Sequence, residues 1–212
     1  MRIITISRQF GSGGRELGRR LSDNLGFDYY DKEIIQQLAE DKGLNPDYVS
    51  SVLQNHGTTG MRLSYRNSFS NLPINIHGEN MATSLLLRQR EIIENIAAAG
   101  NDCIIVGRDA DIILREYRPM RIFVCADMDS RLSRCMAHEM KKEEALRLSE
   151  KEVSRNIRRI DQERSRVREM LTGMSWGEPG SFDLTVNAGN RDIKKLAEIL
   201  SPFVIGWFEQ NE

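Results

Sequence analysis

The chain contains few cysteines and histidines, which limits the chemistry available to it. The three cysteines are Cys103, Cys125 and Cys135, and none of them forms a C-x-x-C pair. An odd number of cysteines without that spacing favours buried, reduced thiols in a cytosolic protein over a disulfide framework. The three histidines are His56, His77 and His138, too scattered to indicate a zinc site.

Long apolar runs and an excess of one charge are also missing. No stretch of about 18 apolar residues without charges occurs, so no membrane-spanning helix is expected, and residue 1 is not followed by the apolar core and cleavage site of a signal peptide. Thirty basic and 31 acidic residues leave a net charge of −1. Such a balance offers no overall field to attract nucleic acid or a membrane surface. We therefore expect a cytoplasmic protein that binds neither, and 212 residues suffice for one α/β domain.

Short β-type runs alternate with long helical patterns, which predicts a parallel sheet flanked by helices. The predicted strands are 2–6, 27–30, 102–106, 120–125 and 182–186. The predicted helices are about 13–25, 31–42, 78–99, 128–140, 142–170 and 190–203, the last of them starting at Asn190. Residues 43–80 are rich in Asn, Ser, Thr and Gly, which predicts an irregular insertion.

A glycine-rich turn joins the first predicted strand to the first helix. Glycines let backbone N–H groups crowd around an anion, and the helix dipole favours negative charge there. The turn therefore predicts phosphate binding by Gly11, Ser12, Gly13 and Gly14, although tight strand-to-helix geometry alone also explains the glycines.

The usual phosphate-loop sequence, G-x-x-x-x-G-K-[S/T], is not present. When its last glycine is placed on Gly13, the lysine position falls on Gly14 and the Ser/Thr position on Arg15. When it is placed on Gly14, Arg15 takes the lysine position, but Gln9 and Glu16 fall on the first glycine and the Ser/Thr. Either Arg15 or Arg8 is expected to supply the missing positive charge, because guanidinium binds phosphate through two hydrogen bonds. A G-x-G-x-x-G dinucleotide motif fits less well, since Glu16 stands where its last glycine belongs.

Charged residues follow two other predicted strands, where ligands bind in open α/β sheets. Asp31 follows the second strand, but the preference for Asp at helix N-caps favours a role in capping the helix that starts there. Arg108 and Asp109 follow Gly107 at the end of the third strand. Charges at the mouth of a buried strand are costly unless they meet a charged ligand or each other, so this pair predicts a ligand site.

Residues 151–168 hold seven basic and three acidic residues. On a helix, spacings of three and four place Arg158, Asp161, Arg164 and Arg168 on one broad face. Such a run is typical of a solvated face with ion pairs, but it also suits an arginine lid that closes over transferring phosphates. An RNA-binding helix is disfavoured because aromatic residues are not interleaved.

In this order, the elements resemble the nucleoside monophosphate kinases, and most closely the cytidylate kinase-like family. The segments that carry the resemblance are 3–15, 29–32, 106–110 with its Gly-Arg-Asp, 158–164 with its Arg-x-x-Asp-x-x-Arg, and 182–187. The resemblance implies an α/β, three-layer P-loop NTPase fold with a parallel five-stranded sheet in a single domain, 1–212. Its core is expected at 1–30, 100–141 and 173–212, with an acceptor-binding insertion at about 31–99 and a helical lid at about 142–172.

The same resemblance implies ATP-dependent phosphoryl transfer, with Mg²⁺, to a small-molecule nucleotide such as CMP. The backbone of Gly11, Ser12, Gly13 and Gly14 would bind the donor phosphates, with Arg15 beside them. The implied acceptor-binding residues are Asp31, Arg108 and Asp109. The implied catalytic residues are Arg15, Arg158, Arg159, Arg164 and Asp161, of which Asp161, like Asp109, would orient arginines or reach Mg²⁺ through water. Because the loop lysine is missing, a nucleotide- or phosphate-binding protein without kinase turnover is the alternative.

Overall fold

Five parallel strands form one sheet in the computed structural model, which describes residues 1–55 and 78–210. The strands are β1 (Ile3–Arg8), β2 (Asp28–Tyr30), β3 (Cys103–Val106), β4 (Met120–Cys125) and β5 (Leu184–Asn187). Their order across the sheet is β2-β3-β1-β4-β5, so β1 is central. The loops that follow β1 and β3 are therefore neighbours at the carboxyl edge of the sheet.

The described helices cover both faces of the sheet. They are α1 (Gly14–Leu25), α2 (Lys32–Lys42), α3 (Pro46–Asn55), α4 (Gly78–Ala98), α5 (Ala110–Ile113), α6 (Met128–Glu139), α7 (Glu150–Thr172) and α8 (Ile193–Glu209). Within the described ranges, none of these helices is both long and apolar enough to cross a membrane.

Two separate hydrophobic cores give the protein its three layers. Successive strand side chains point to opposite faces, so Ile3 and Ile105 pack with α2 and α4. Ile4 and Ile104 pack on the other face, with α1 and α8. Each fully buried isoleucine contributes about 1.5–3 kcal/mol relative to an exposed one. The predicted α/β architecture is confirmed.

The predicted irregular stretch 43–80 is wrong over residues 46–55, which form α3. Pro46 suits the first turn of a helix because its missing N–H has no partner there. The side chain of Asn45 accepts a hydrogen bond from the N–H of Asp47 at 2.8 Å, and Val49 is buried in the core. Residues 56–77 lie outside the described residues.

Two helix starts also differ from the prediction. The lid helix begins at Glu150 rather than at 142, because Ser149 and Glu152 form a reciprocal capping box there. The last helix begins after Asp192, whose carboxylate accepts from the N–H groups of Lys194 and Lys195. Asn190, the predicted start, instead has a left-handed backbone with φ of +50°.

The three cysteines are free thiols, but only one of them is buried as predicted. Cys103 lies in the core, whereas Cys125 and Cys135 are half-buried. Burial raises the pKa of Cys103 to about 11, since its environment disfavours the thiolate.

Candidate functional site

A cavity of about 430 Å³ lies beyond the carboxyl ends of β1 and β3; we call it the strand-end cavity. Its cationic lining consists of Arg8, Arg15, Lys32, Arg108 and Arg164. Helices α2, α3 and α4 also add the uncharged residues Ile35, Gln36, Pro46, Ser50, Leu86 and Gln89. Three carboxylates, Asp47, Asp109 and Glu163, line the cavity as well, so its cations outnumber its acidic groups by five to three. Positive charge beside a partly apolar wall suits a small organic anion.

The glycine loop after β1 leaves backbone donors free. Gly11 and Gly13 have φ values of +77° and +89°, a region that favours glycine. Among residues 1–55 and 78–210, no backbone carbonyl or side chain accepts a hydrogen bond from the N–H of Gly11, Gly13 or Gly14. Gly13 stands at the start of α1, where the helix dipole adds to these donors. Anion binding at residues 11–15 stays a prediction, and this geometry suits it.

Asp31 holds arginines rather than capping a helix. It precedes α2, but its side chain makes no capping hydrogen bond. Its carboxylate forms an ion pair with Nε of Arg15, accepts from Nη2 of Arg15 at 3.3 Å and lies 3.7 Å from Nη2 of Arg8. Asp31 is not among the residues that line the cavity, and its contact with the acceptor stays a prediction.

Arg8 is the last residue of β1, because β1 pairs with β4 as far as Arg8 and Val124. Its side chain is 13% exposed, and its guanidinium lies against Gly107. A Cβ atom at Gly107 would lie 1.7 Å from Nη1 of Arg8, so only glycine fits there. Burial, and then the neighbouring Arg164 cation, lower the pKa of Arg8 to about 9. A cation in this position is poorly compensated and favours an anionic ligand.

Arg108 and Asp109 have an unusual backbone. Their φ values are +62° and +50°, directly after Gly107 at +77°. Left-handed conformations at non-glycine residues cost about 1–3 kcal/mol each and cluster at functional sites. Burial, and then Arg8, lower the pKa of Arg108 to about 10, and its buried Nε has no partner among the described residues. Burial and nearby Asp111 raise the pKa of Asp109.

Asp161 joins α7 to the glycine loop. Its carboxylate accepts from the N–H of Phe10 at 2.8 Å and from Nη1 of Arg164 at 3.2 Å, and it forms an ion pair with Nη2 of Arg131. Arg131 also donates through Nε to the carbonyl of Phe10 at 2.7 Å. Asp161 thus contacts two arginines, Arg131 and Arg164, and its role in catalysis stays a prediction. The sequence analysis did not identify Arg131 as a site residue, because nothing in its local sequence indicates that α6 packs against the glycine loop.

Arg158 and Arg159 do not join Arg164 at the strand-end cavity. They line a separate cleft together with Leu132, Glu150 and Lys151, and Arg159 forms an ion pair with Glu163 at 2.7 Å. Six residues at 3.6 per turn put Arg158 and Arg164 about 120° apart around the helix. The expected clamp of three arginines is therefore not assembled here, and only Arg164 faces the cavity.

Arg168 has a structural partner. It is 1% exposed, and its Nη1 lies 2.7 Å from Oδ2 of Asp111 and 3.7 Å from Oδ1 of Asp109. The sequence analysis placed Arg168 on a helix face that is either solvated or directed at phosphates. Both interpretations are wrong for this residue, because it is buried and paired with Asp111.

Two residues that line the cavity each carry a buried oxygen without a partner among the described residues: Oε1 of Gln89 and Oε2 of Glu163. Gln89 is 5% exposed. Buried oxygens of this kind are usually hydrogen-bonded, so a ligand with hydrogen-bond donors would satisfy them. The sequence analysis singled out neither residue for this role, since a lone Gln or Glu on a helix has no distinctive pattern.

Comparisons with known proteins agree with this architecture. A cytidylate kinase from Haloarcula marismortui is 22% identical over 198 residues, covering 93% of this chain and 86% of that protein. The structure of an uncharacterized protein from Eubacterium ventriosum matches with a TM-score of 0.68 at 20% identity, covering 96% of this chain and 98% of that one.

Shikimate kinases share the fold as well. The enzyme from Bacteroides thetaiotaomicron matches with a TM-score of 0.55 at 12% identity, covering 96% of this chain and 98% of that one. The pattern of the cytidylate kinase-like family matches residues 3–190. The parallel sheet, its helical layers and the loop at the start of α1 are those of a P-loop kinase fold, and the chain belongs to the cytidylate kinase-like family.

Proposed function

We propose that this protein transfers a phosphoryl group from ATP to a nucleoside monophosphate such as CMP. The observation that carries the proposal is the group of buried, incompletely paired guanidiniums at the strand-end cavity, beside a loop of free N–H groups. Family membership supports kinase-type phosphoryl transfer in general. The acceptor is the finer part of the proposal.

Phosphoryl transfer needs positioning and charge stabilisation more than a covalent nucleophile. The donor phosphates would lie on the N–H groups of Gly11, Gly13 and Gly14, with the acceptor phosphate on Arg108. Arg164 would stabilise the charge that spreads over the transferring group. Its hydrogen bonds to Asp161 and to the carbonyl of Arg8, at 3.2 and 3.0 Å, hold it in place for this role.

Mg²⁺ accompanies ATP in kinases, where it neutralises charge on the phosphates. The described residues contain no cluster of three or more His, Cys, Asp or Glu that would hold a metal, and Arg15 takes the place of the usual hydroxyl ligand. The ion would therefore rely mainly on nucleotide phosphates and water.

The unpartnered oxygens of Gln89 and Glu163 support an acceptor that carries hydrogen-bond donors. The exocyclic amino group of cytosine is such a donor, and a carboxylate can only accept. This supports CMP over UMP, whose ring has a carbonyl in the corresponding place.

The direct test is to incubate the protein with ATP, Mg²⁺ and a panel of nucleoside monophosphates and to measure ADP. We expect turnover with CMP above that with UMP. ATP binding without ADP formation with any acceptor would contradict the proposal and favour the alternative of nucleotide binding without turnover, which the glycine at the lysine position suggests.

Replacement of Arg108 should weaken acceptor binding selectively. Loss of a hydrogen bond from a charged group costs about 1.5–3 kcal/mol, so Arg108→Ala should raise KM for the acceptor about 10- to 150-fold while KM for ATP changes little. Arg115→Ala, an exposed arginine of the same connection, is the control and should leave both constants unchanged. Equal losses for both substrates would point to a general structural role.

The proposed lid, 142–172, should become more protected when substrates bind. Asp161 ties α7 to the loop through charged contacts, and phosphates would add to them. Hydrogen exchange around 150–165 should slow when ATP analogue and acceptor are both present, and added salt should reduce that protection. The amides of Ile4 and Ile104, buried in the core between the sheet and α1, serve as the internal reference. High protection that ligands do not alter would make α7 a fixed structural helix.

A further inference from the structure

When the last glycine of the phosphate-loop pattern is placed on Gly13, the residue that precedes α1, Gly14 takes the lysine position, and its surroundings exclude a side chain. A Cβ atom on Gly14 would lie 2.7 Å from Cβ of Arg8, 3.1 Å from Cγ of Arg8 and 3.2 Å from Cβ of Val124. Carbon atoms in contact normally lie about 3.5–4.0 Å apart. The stem of Arg8 thus fills the space that the first atoms of a lysine would need.

The charge of Arg8 lies between the two halves of the site. Its Cβ and Cγ atoms pack against Gly14 at the start of α1, and its Nη1 lies against Gly107 at the end of β3. Gly14 belongs to the donor loop, and Gly107 precedes the proposed acceptor residue, Arg108. The transferring group of an in-line reaction must pass between these two sites.

Arg8 is also less compensated than Arg15, the other candidate for the missing charge. Arg15 is 55% exposed and is held by Asp31 through an ion pair and a further hydrogen bond from Nη2. Arg8 is 13% exposed, and Asp31 lies 3.7 Å from its Nη2, beyond hydrogen-bond distance. No described residue accepts a hydrogen bond from the guanidinium of Arg8. Its donors are left for a ligand.

We infer that Arg8 takes the place of the missing phosphate-loop lysine and binds the transferring phosphoryl group. This rests on the proposed function. In the step, the bond from the γ-phosphorus to the oxygen bridging to the β-phosphate breaks, and a bond to an oxygen of the acceptor phosphate forms. ADP leaves with the electron pair. Arg8 keeps its proton and donates hydrogen bonds to the non-bridging oxygens.

The experiment moves the charge from one position to the other. Arg8→Ala should lower kcat about 10²- to 10³-fold, as expected when a donor to a transition-state oxygen is lost. Gly14→Lys alone should also lower kcat, because the new side chain would clash with the aliphatic part of Arg8. The double variant Arg8→Ala/Gly14→Lys removes that clash, and its kcat should be at least tenfold higher than that of Arg8→Ala.

Rescue by a lysine at a different position is a result that a merely structural role of Arg8 would not give. An Arg8→Ala variant with normal kcat, or a double variant no more active than Arg8→Ala, would overturn the inference while turnover of the unmodified protein still supported the proposed function.

A binding measurement keeps the inference testable if no acceptor is turned over. Titration calorimetry with ADP, Mg²⁺ and beryllium fluoride, a phosphoryl mimic, should show at least tenfold weaker binding to Arg8→Ala than to the unmodified protein, with ADP alone bound equally. Equal affinity for the beryllium fluoride complex would overturn the role of Arg8. The absence of turnover would count against the proposed function only.

Discussion

Arg164→Ala should lower kcat by about three orders of magnitude, with KM for each substrate changing only a few-fold. Arginines that stabilise a transferring phosphoryl group contribute about 10³–10⁵ to kcat in other enzymes. Arg164 lines the strand-end cavity, and it is oriented by Asp161 and by the carbonyl of Arg8. Steady-state kinetics with ATP and CMP measure the effect.

Two variants of the same helix make this prediction specific. Arg166→Ala removes an exposed arginine two residues further along α7 and should leave kcat unchanged. Arg159→Ala should have a small effect, because Arg159 lies in the separate cleft and is paired with Glu163. If Arg159→Ala lowered kcat as much as Arg164→Ala, α7 would have to turn or move during the reaction, and the placement seen here would not be the reacting one.

The second large effect concerns stability. Asp111→Ala should lower the free energy of unfolding by about 3–5 kcal/mol, because it leaves the guanidinium of Arg168 buried without its main partner. Both side chains are 2% exposed, and their atoms Oδ2 and Nη1 lie 2.7 Å apart. Asp109, at 3.7 Å from the same Nη1, compensates only weakly. Urea unfolding followed by circular dichroism measures the loss.

A surface pair provides the comparison. Glu16→Ala breaks an exposed ion pair with Arg20 and should cost less than about 1 kcal/mol. The double variant Asp111→Leu/Arg168→Met should regain most of the stability, since apolar residues often replace a buried ion pair without loss. A loss below about 1 kcal/mol for Asp111→Ala would mean that the pair is hydrated or readily rearranged.

The alternation of apolar runs and helical patterns was enough to predict the five parallel strands and most helices, because strand and helix periods are local properties of the chain. Local signals failed where a short cap decides the boundary. Ser149 and Asp192 cap the N-termini of α7 and α8, so both helices begin later than the apolar periodicity predicts. The Asn-Ser-Gly composition after residue 43 also concealed α3.

Part of the site was likewise visible in the sequence. The glycine loop and the charged pair after β3 were predicted at strand ends, since parallel strands carry their carboxyl ends to one edge. Arg108 and Asp109 both have a left-handed backbone, a costly conformation that is frequent at functional sites. Family resemblance then pointed to phosphates, and the match over residues 3–190 confirms the family.

Which arginine faces which partner was decided by tertiary structure alone. Arg168 and Asp111 are 57 positions apart, and Asp161 and Phe10 are 151 apart, so no local pattern links them. The order of strands places Arg8 beside Gly107, and the turn of α7 separates Arg158 from Arg164. Charge energies depend on distance and burial, neither of which is a property of local sequence. The sequence by itself determined the fold class and the chemical character of the site, while packing alone determined which charges are left for a ligand.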